Sequence, residues 1–184
     1  MLALQGAFAR HQRVIESLGG ATIAVRTASQ LDDCDRLVIP GGESSTISML
    51  LERSELLDPV AERIAAGMPT FGTCAGAILL AREILDGRDD QRCFGALDAS
   101  VRRNAYGRQV DSFEADLVVD ALGAPPLRAV FIRAPVIEDI GDDVEVLALL
   151  AGRPVLCRQR TILACTFHPE LSGDARLHRL FLEM

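Results

Sequence analysis

The hexapeptide Phe71-Gly72-Thr73-Cys74-Ala75-Gly76 constrains this chain more than any other segment. A short apolar run enters it, glycines bracket Thr73-Cys74-Ala75, and a run of helix formers leaves it. Strand, G-x-C-x-G, helix is the nucleophile-elbow pattern with cysteine in place of serine. The small residues permit a sharp turn that forces the Cys74 side chain out at the edge of a sheet. The N-terminus of the following helix favours a thiolate there, and the Ala75 N–H can donate to an oxyanion. Taken alone, the segment also fits a buried structural cysteine between packing glycines.

The remaining pattern agrees with such a sheet. Short apolar runs alternate with helical periodicity, as in βαβ units. Strands are predicted at residues 2–4, 22–26, 36–40, 70–73, 129–132, 144–150, 155–158 and 162–166. An antiparallel pair is predicted across residues 96–119, turning around Asn104–Gly107. Helices are predicted at 8–18, 45–53, 59–66, 75–85 and 174–183. The expected fold is a three-layer α/β/α sandwich with a mainly parallel, flavodoxin-like central sheet. The 184 residues are expected to form a single domain spanning 1–184, since about 150 residues make one domain.

Composition narrows the chemistry. All 19 basic residues are arginine. Without a lysine amine the chain cannot form an internal Schiff base, a Walker-type phosphate loop, a kinase-type ATP site or a Ser-Lys dyad. The net charge of −7, with arginines scattered among acidic residues, argues against nucleic acid as a partner. No apolar run approaches the ~18 residues of a membrane span, and the N-terminal residues do not read as a signal peptide. A cytoplasmic protein is expected. Five cysteines at 34, 74, 93, 157 and 165 form no C-x-x-C, so neither a disulfide framework nor a metal site is expected. Cys157 and Cys165 read as small core residues.

Two other segments carry candidate chemistry. In Thr166-Phe167-His168-Pro169-Glu170, an extended backbone points residues two apart the same way, so Glu170 can orient His168 as a base for Cys74. The other two histidines, His11 and His178, read as surface residues of helices. Pro40-Gly41-Gly42-Glu43-Ser44-Ser45-Thr46 follows a strand and opens a helix, so its backbone N–H groups can face an anionic centre. An oxyanion donor at Gly42 and a carboxylate at Glu43 for a substrate ammonium fit this loop better than a phosphate cradle; a plain serine-capped glycine turn fits as well.

These segments, with Leu4-Gln5-Gly6-Ala7, RNAYGRQVDSFE at 103–114 and FIRAP at 131–135, occur together and in order over nearly the whole chain. The set resembles the glutaminase subunits of pyridoxal 5′-phosphate synthase, which are class I, triad-type glutamine amidotransferases. The resemblance implies Cys74 as nucleophile, His168 as general base and acid, and Glu170 as its orienter. It implies an oxyanion hole at Gly42 and Ala75, and a glutamine site lined by Gly42, Glu43, Ser44, Arg103, Ile132 and Arg133. It further implies no cofactor in this chain, and a synthase partner, a separate (β/α)8-barrel subunit that takes up the ammonia in a hetero-oligomer. Gln5 would lie near the active site and the partner surface, and the glutaminase would stay slow until the synthase binds.

Three other readings compete. Peptidases and deglycases of the same layered fold usually carry a histidine directly after the elbow cysteine, where this chain has Ala75. A catalytically silent interaction subunit would not need Cys74, His168 and Glu170 together. Glutaminases of histidine or tryptophan biosynthesis would lack RNAYGRQVDSFE. One expectation concerns the N-terminus. A buried parallel strand has about five residues, so the short first strand suggests a native start upstream of Met1, for instance at a GTG codon. An intact mass equal to that of these 184 residues would refute it.

Overall fold

The central sheet is built on three parallel strands, β1 (Leu37–Ile39), β2 (Thr70–Thr73) and β10 (Ile162–Cys165), which lie in the order β1-β2-β10. The structure is a computed structural model and describes residues 1–103 and 112–184. Two antiparallel strands, β9 (Arg153–Gln159) and β8 (Glu145–Leu150), extend the sheet beyond β10. At the other edge the strands expected at 2–4 and 22–26 reduce to a single parallel bridge between Leu2 and Val25. Leu2 N–H also donates to Val38 O at 2.9 Å, which joins this edge to β1.

Side-chain alternation along these strands divides the core in two. Leu37, Ile39, Ile162 and Ala164 point into one hydrophobic cluster, whereas Val38, Phe71, Leu163 and Cys165 point into the other. The first cluster is closed by α3 (Ser44–Arg53), α4 (Leu57–Ala65) and α5 (Ala75–Leu80), through residues such as Ile47, Leu51, Val60 and Leu79. The short α2 (Ala28–Asp32) adds Leu31 to it. The second is closed by α1 (Phe8–Ser17) and α6 (Arg176–Leu182), through Ile15, Leu177 and Phe181. Because strand side chains alternate with a period of two, each strand feeds both clusters, and the three layers expected from the sequence follow.

Two parts of the structure differ from expectation. The helix predicted at 75–85 stops at Leu80, and the chain continues as β3 (Ala81–Ile84). The helix formers of Ala81–Ile84 are overridden by pairing: β3 runs parallel to β4 (Leu97–Arg102), which pairs antiparallel with β7 (Val136–Glu138). The predicted antiparallel pair across 96–119 does not form either. β4 belongs to that small sheet, while β5 (Phe113–Leu117) pairs with β6 (Leu127–Phe131) in a separate ribbon. The turn expected around Asn104–Gly107 lies outside the described residues.

Backbone approach explains the glycines of the elbow. A Cβ at Gly76 would run into the carbonyl oxygen of Ile39 in β1, and one at Gly72 would lie 2.6 Å from the Gly76 carbonyl. These contacts let α5 lie directly against the strands that carry it. The Gly76→Ala variant is therefore expected to lose about 3 kcal/mol of stability, the upper part of the overpacking range. Urea unfolding of the purified variant measures it, and a loss under about 1 kcal/mol would refute the close-approach argument.

Candidate active site

Cys74 sits between β2 and α5 with φ 50° and ψ −103°. A non-glycine residue at positive φ is strained by about 1–3 kcal/mol and needs a surrounding structure that over-determines it. Here the Cys74 N–H donates to Cys165 O at 2.8 Å, which ties the elbow to β10. Cys74 is 6% exposed. It is nearly buried yet borders a cavity of about 350 Å³.

His168 and Glu170 follow β10. The segment is less extended than the sequence suggested, because Pro169–Leu171 form one 3-10 turn. The carboxylate nevertheless meets the imidazole, with Glu170 Oε1 2.8 Å from His168 Nδ1. His168 N–H donates to Val130 O at 2.8 Å, so β6 fixes the backbone that carries the base. Burial alone would lower the His168 pKa. Hydrogen bonds to Cys74 and Glu170, and the negative charge of both partners, outweigh it and hold the pKa at about 10. Glu170 shows the converse balance: burial favours its neutral form, but His168 and His11 keep its pKa below the usual value. Glu170 and Cys74 thus both act on the one imidazole of His168, Glu170 through a 2.8 Å contact at Nδ1.

The same cavity collects the other predicted residues. Gln5, Gly42, Glu43, Ser44, Arg103, Ile132 and Arg133 line it with Cys74 and His168. Ala75 and Glu170 stand immediately behind, as first residue of α5 and as His168 partner. The loop after β1 is shaped by two close approaches. A Cβ at Gly41 would meet the His168 ring, and one at Gly42 would meet the Gln5 amide oxygen. Gln5 Oε1 accepts the Glu43 N–H at 2.9 Å, and the Gly41 N–H donates to Thr73 Oγ1 at 3.0 Å. Across the cavity Arg103 Nη2 lies 2.7 Å from Glu43 Oε1, and its Nη1 donates to Gln91 Oε1 at 2.9 Å. Gln91 also donates to Ser44 Oγ at 3.0 Å. Arg133 takes a positive φ of 44° at the cavity wall.

Sequence reasoning missed four residues. Thr73 and Gln91 hold the loop and Arg103, and no pattern marks them. His11 and His178 are the larger omission: both were expected at the surface, and both are fully buried. An amphipathic helix around His11 and the arginines at 176 and 179 beside His178 suggested solvent. Helical spacing is the better signal, since His11 lies four residues before buried Ile15 and His178 three before buried Phe181. His11 Nδ1 is 2.9 Å from His178 Nε2, and His11 Nε2 is 3.3 Å from Glu170 Oε2.

A second hollow of about 340 Å³, lined in part by Met1, Cys34 and Phe181, lacks this equipment. Burial raises the Cys34 thiol pKa, and its Sγ contacts Gln30 O at 3.2 Å. Cys157 and Cys165 are buried as expected, and burial pushes the Cys157 thiol up to about 12 and raises the Cys165 thiol well above its usual value. Among the described residues no His, Cys, Asp or Glu cluster could hold a metal ion, and no helix is long and apolar enough to cross a membrane.

A cysteine on a strand-to-helix elbow beside a histidine–glutamate pair, on a helix-covered parallel sheet, is the arrangement of the triad glutamine amidotransferase class. Comparison with known proteins narrows the class. The SNO glutamine amidotransferase family matches residues 1–184, and the chain belongs to that family. The "Pyridoxal 5'-phosphate synthase subunit PdxT" of Frankia alni is 56% identical over 184 residues, covering 100% of this chain and 92% of the relative. The protein of the same name from Herpetosiphon aurantiacus is also 56% identical, covering 99% and 97%. A solved structure titled "Crystal structure of glutamine amidotransferase" superposes with a TM-score of 0.92 at 50% identity, covering 99% of this chain and 95% of that one. The family and fold expected from the sequence are borne out.

The buried histidines make stability depend on pH. Burial lowers the pKa of His11 to about 4, against the pull of Glu170, and that of His178 to about 3. Their unfolded values are about 6.5. Below pH 6.5 the unfolded chain takes up these protons and the folded chain does not, so stability falls by about 1.4 kcal/mol per pH unit for each histidine. The loss begins near pH 6.5 and continues down to about pH 4 for His11 and about pH 3 for His178. Thermal melting between pH 7 and 4.5 checks it. A flat melting temperature across that window would contradict neutral burial.

Proposed function

We propose that this chain is the glutaminase subunit of a pyridoxal 5′-phosphate synthase. It would hydrolyse L-glutamine to L-glutamate and ammonia for a synthase subunit that builds the cofactor from pentose and triose phosphates. The observation that carries the reading is the convergence of Cys74, the His168–Glu170 pair and the Glu43–Arg103 pair on one cavity. The family match and the names of full-length relatives support the same assignment.

The cavity suits free glutamine. Its α-carboxylate would displace Glu43 from the Arg103 guanidinium, whose fork is suited to a carboxylate, and its α-ammonium would pair with the released Glu43. Arg133, Ser44 and Ile132 would complete the wall. The side-chain amide then reaches Cys74. The sulfur, its proton held by His168, attacks the amide carbon, and the tetrahedral oxyanion is held by the N–H groups of Gly42 and Ala75. The neighbouring Gly41 N–H is committed to Thr73. Losing one such donor costs about 3 kcal/mol of transition-state stabilisation. His168 gives its proton to the departing nitrogen, ammonia leaves, and a γ-glutamyl thioester remains. Water, deprotonated by His168, hydrolyses the thioester and frees glutamate. Glu170 keeps the imidazole oriented throughout.

The reading extends to a single glutaminase domain over 1–184, working in the cytoplasm against a (β/α)8-barrel partner. Gln5 would lie near that partner's surface. With no lysine in the chain, the imine chemistry of joining two sugar phosphates would fall to the partner.

The decisive experiment mixes the chain with a synthase subunit of a related bacterium, glutamine and both sugar phosphates. Pyridoxal phosphate absorbance is expected only when all are present, and glutamine hydrolysis by the chain alone is expected to be slow. Cys74→Ala should abolish hydrolysis, and Arg103→Ala should raise KM with a smaller effect on kcat. Full hydrolysis by Cys74→Ala would overturn the assignment.

A further inference from the structure

The triad accounts for one oxygen of Glu170. Oε1 faces His168 Nδ1, whereas Oε2 is buried without a well-formed hydrogen bond, and His11 Nε2 stands 3.3 Å from it. A carboxylate oxygen left unpaired in the interior costs several kcal/mol, so the contact with His11 matters to the charge that orients the base.

Proton counting fixes how the imidazoles are arranged. One hydrogen lies between His11 Nδ1 and His178 Nε2, which are 2.9 Å apart, and His178 Nδ1 is buried without a partner. Suppose first that His11 carries its proton on Nδ1. His178 must then accept on Nε2 and carry its own proton on Nδ1, leaving a buried donor unpaired, while the bare Nε2 of His11 faces the Glu170 carboxylate. Both features are costly. In the other arrangement His178 Nε2–H donates to His11 Nδ1, and His11 Nε2–H points at Glu170 Oε2. Among the imidazole nitrogens, only a lone pair on His178 Nδ1 is then left unpaired. Thr73 does not choose between the two, because its Oγ1, 3.2 Å from His11 Nε2, can accept from an N–H there or donate its own hydroxyl proton to a bare nitrogen; the negative Oε2 at 3.3 Å decides for the N–H. The ionisable groups facing His11 are Glu170 and His168 from the segment after β10 and His178 from α6. None of them supplies a competing donor to Oε2.

We propose that His11, oriented by His178, is a positioning residue of the triad: its Nε2–H donates to Glu170 Oε2 and locks the carboxylate so that Oε1 faces His168. The role rests on the glutaminase reading, since it acts through His168 on the reaction proposed above. It makes α1 and α6 part of the catalytic machinery, although neither helix touches the cavity nucleophile. A neutral donor serves better than a cation here. An imidazolium beside Glu170 would compete with His168 for the carboxylate, and burial keeps both supporting histidines neutral.

Two measurements test this. In the wild-type chain, 15N–1H NMR of the imidazoles should find both His11 and His178 protonated on Nε2 and neutral at pH 6. Finding the His11 proton on Nδ1 would overturn the proposal, and this readout does not depend on the glutaminase reaction. In the reconstituted complex, His11→Leu should lower kcat roughly tenfold to hundredfold, the usual effect of losing a supporting hydrogen bond. KM should stay within about twofold, as the glutamine contacts are untouched. The acidic edge of the pH profile should move upward, because Glu170 loses a donor to its charged form. His11→Gln, which restores an N–H at similar reach, should recover most of kcat. A folded His11→Leu variant with wild-type kcat and pH profile would refute the role. If His11→Leu does not fold, the NMR tautomers and His11→Gln decide. A wild-type complex that does not hydrolyse glutamine would instead refute the glutaminase reading and leave the tautomer test standing.

Discussion

The backbone at Cys74 is the constraint on which the rest of the molecule depends. A residue held at φ 50° returns to ordinary geometry unless both flanking elements are pinned. β2 is pinned between β1 and β10, the Cys74 N–H is tied to Cys165 O, and α5 is pressed against β1 so closely that only glycine fits at 76. The strain is small beside the burial of two hydrophobic clusters, so the fold can sustain it. In return the sulfur stands at the end of a parallel sheet, where the segment after β10 delivers a histidine.

Legibility in the sequence followed the range of the interactions. The elbow, the loop after β1 and the His-Pro-Glu segment are contiguous, and their local chemistry announces them. Periodicity likewise predicted the five strands of the central sheet and most helices, though not β7 or α2, because each strand's alternation is a property of the strand itself. What could not be read locally was pairing. Ala81–Ile84 has the composition of a helix and becomes a strand only because β4 lies beside it. β4 and β5 resemble a hairpin, yet each finds a different partner. The buried histidines failed for a related reason. His11 and His178 are 167 residues apart, and only the packing of α1 against α6 makes each an acceptable core residue for the other.

The site also depends on side chains that carry no chemistry themselves. One hydroxyl, that of Thr73, receives the Gly41 N–H from the loop after β1 and approaches the buried imidazole of His11. The Gln5 amide holds the first turn of α3, and Gln91 holds both Ser44 and Arg103. Through such contacts the loop, the elbow and the base belong to one rigid frame. A displacement of any of them by about 1 Å would lose the alignment that attack requires.

For the glutamine site proposed above, the pairing of Glu43 with Arg103 has a consequence for what would be refused. The two charges cancel each other, at the modest strength of a partly exposed ion pair. Free glutamine, a zwitterion, would offer a replacement for each partner at once. A glutamine inside a polypeptide has neither the ammonium nor the carboxylate, so its entry would strand both side chains without compensation. The same pair that would receive the amino acid would thereby keep Cys74 away from the amides of other proteins, a discrimination achieved by charge balance rather than by size.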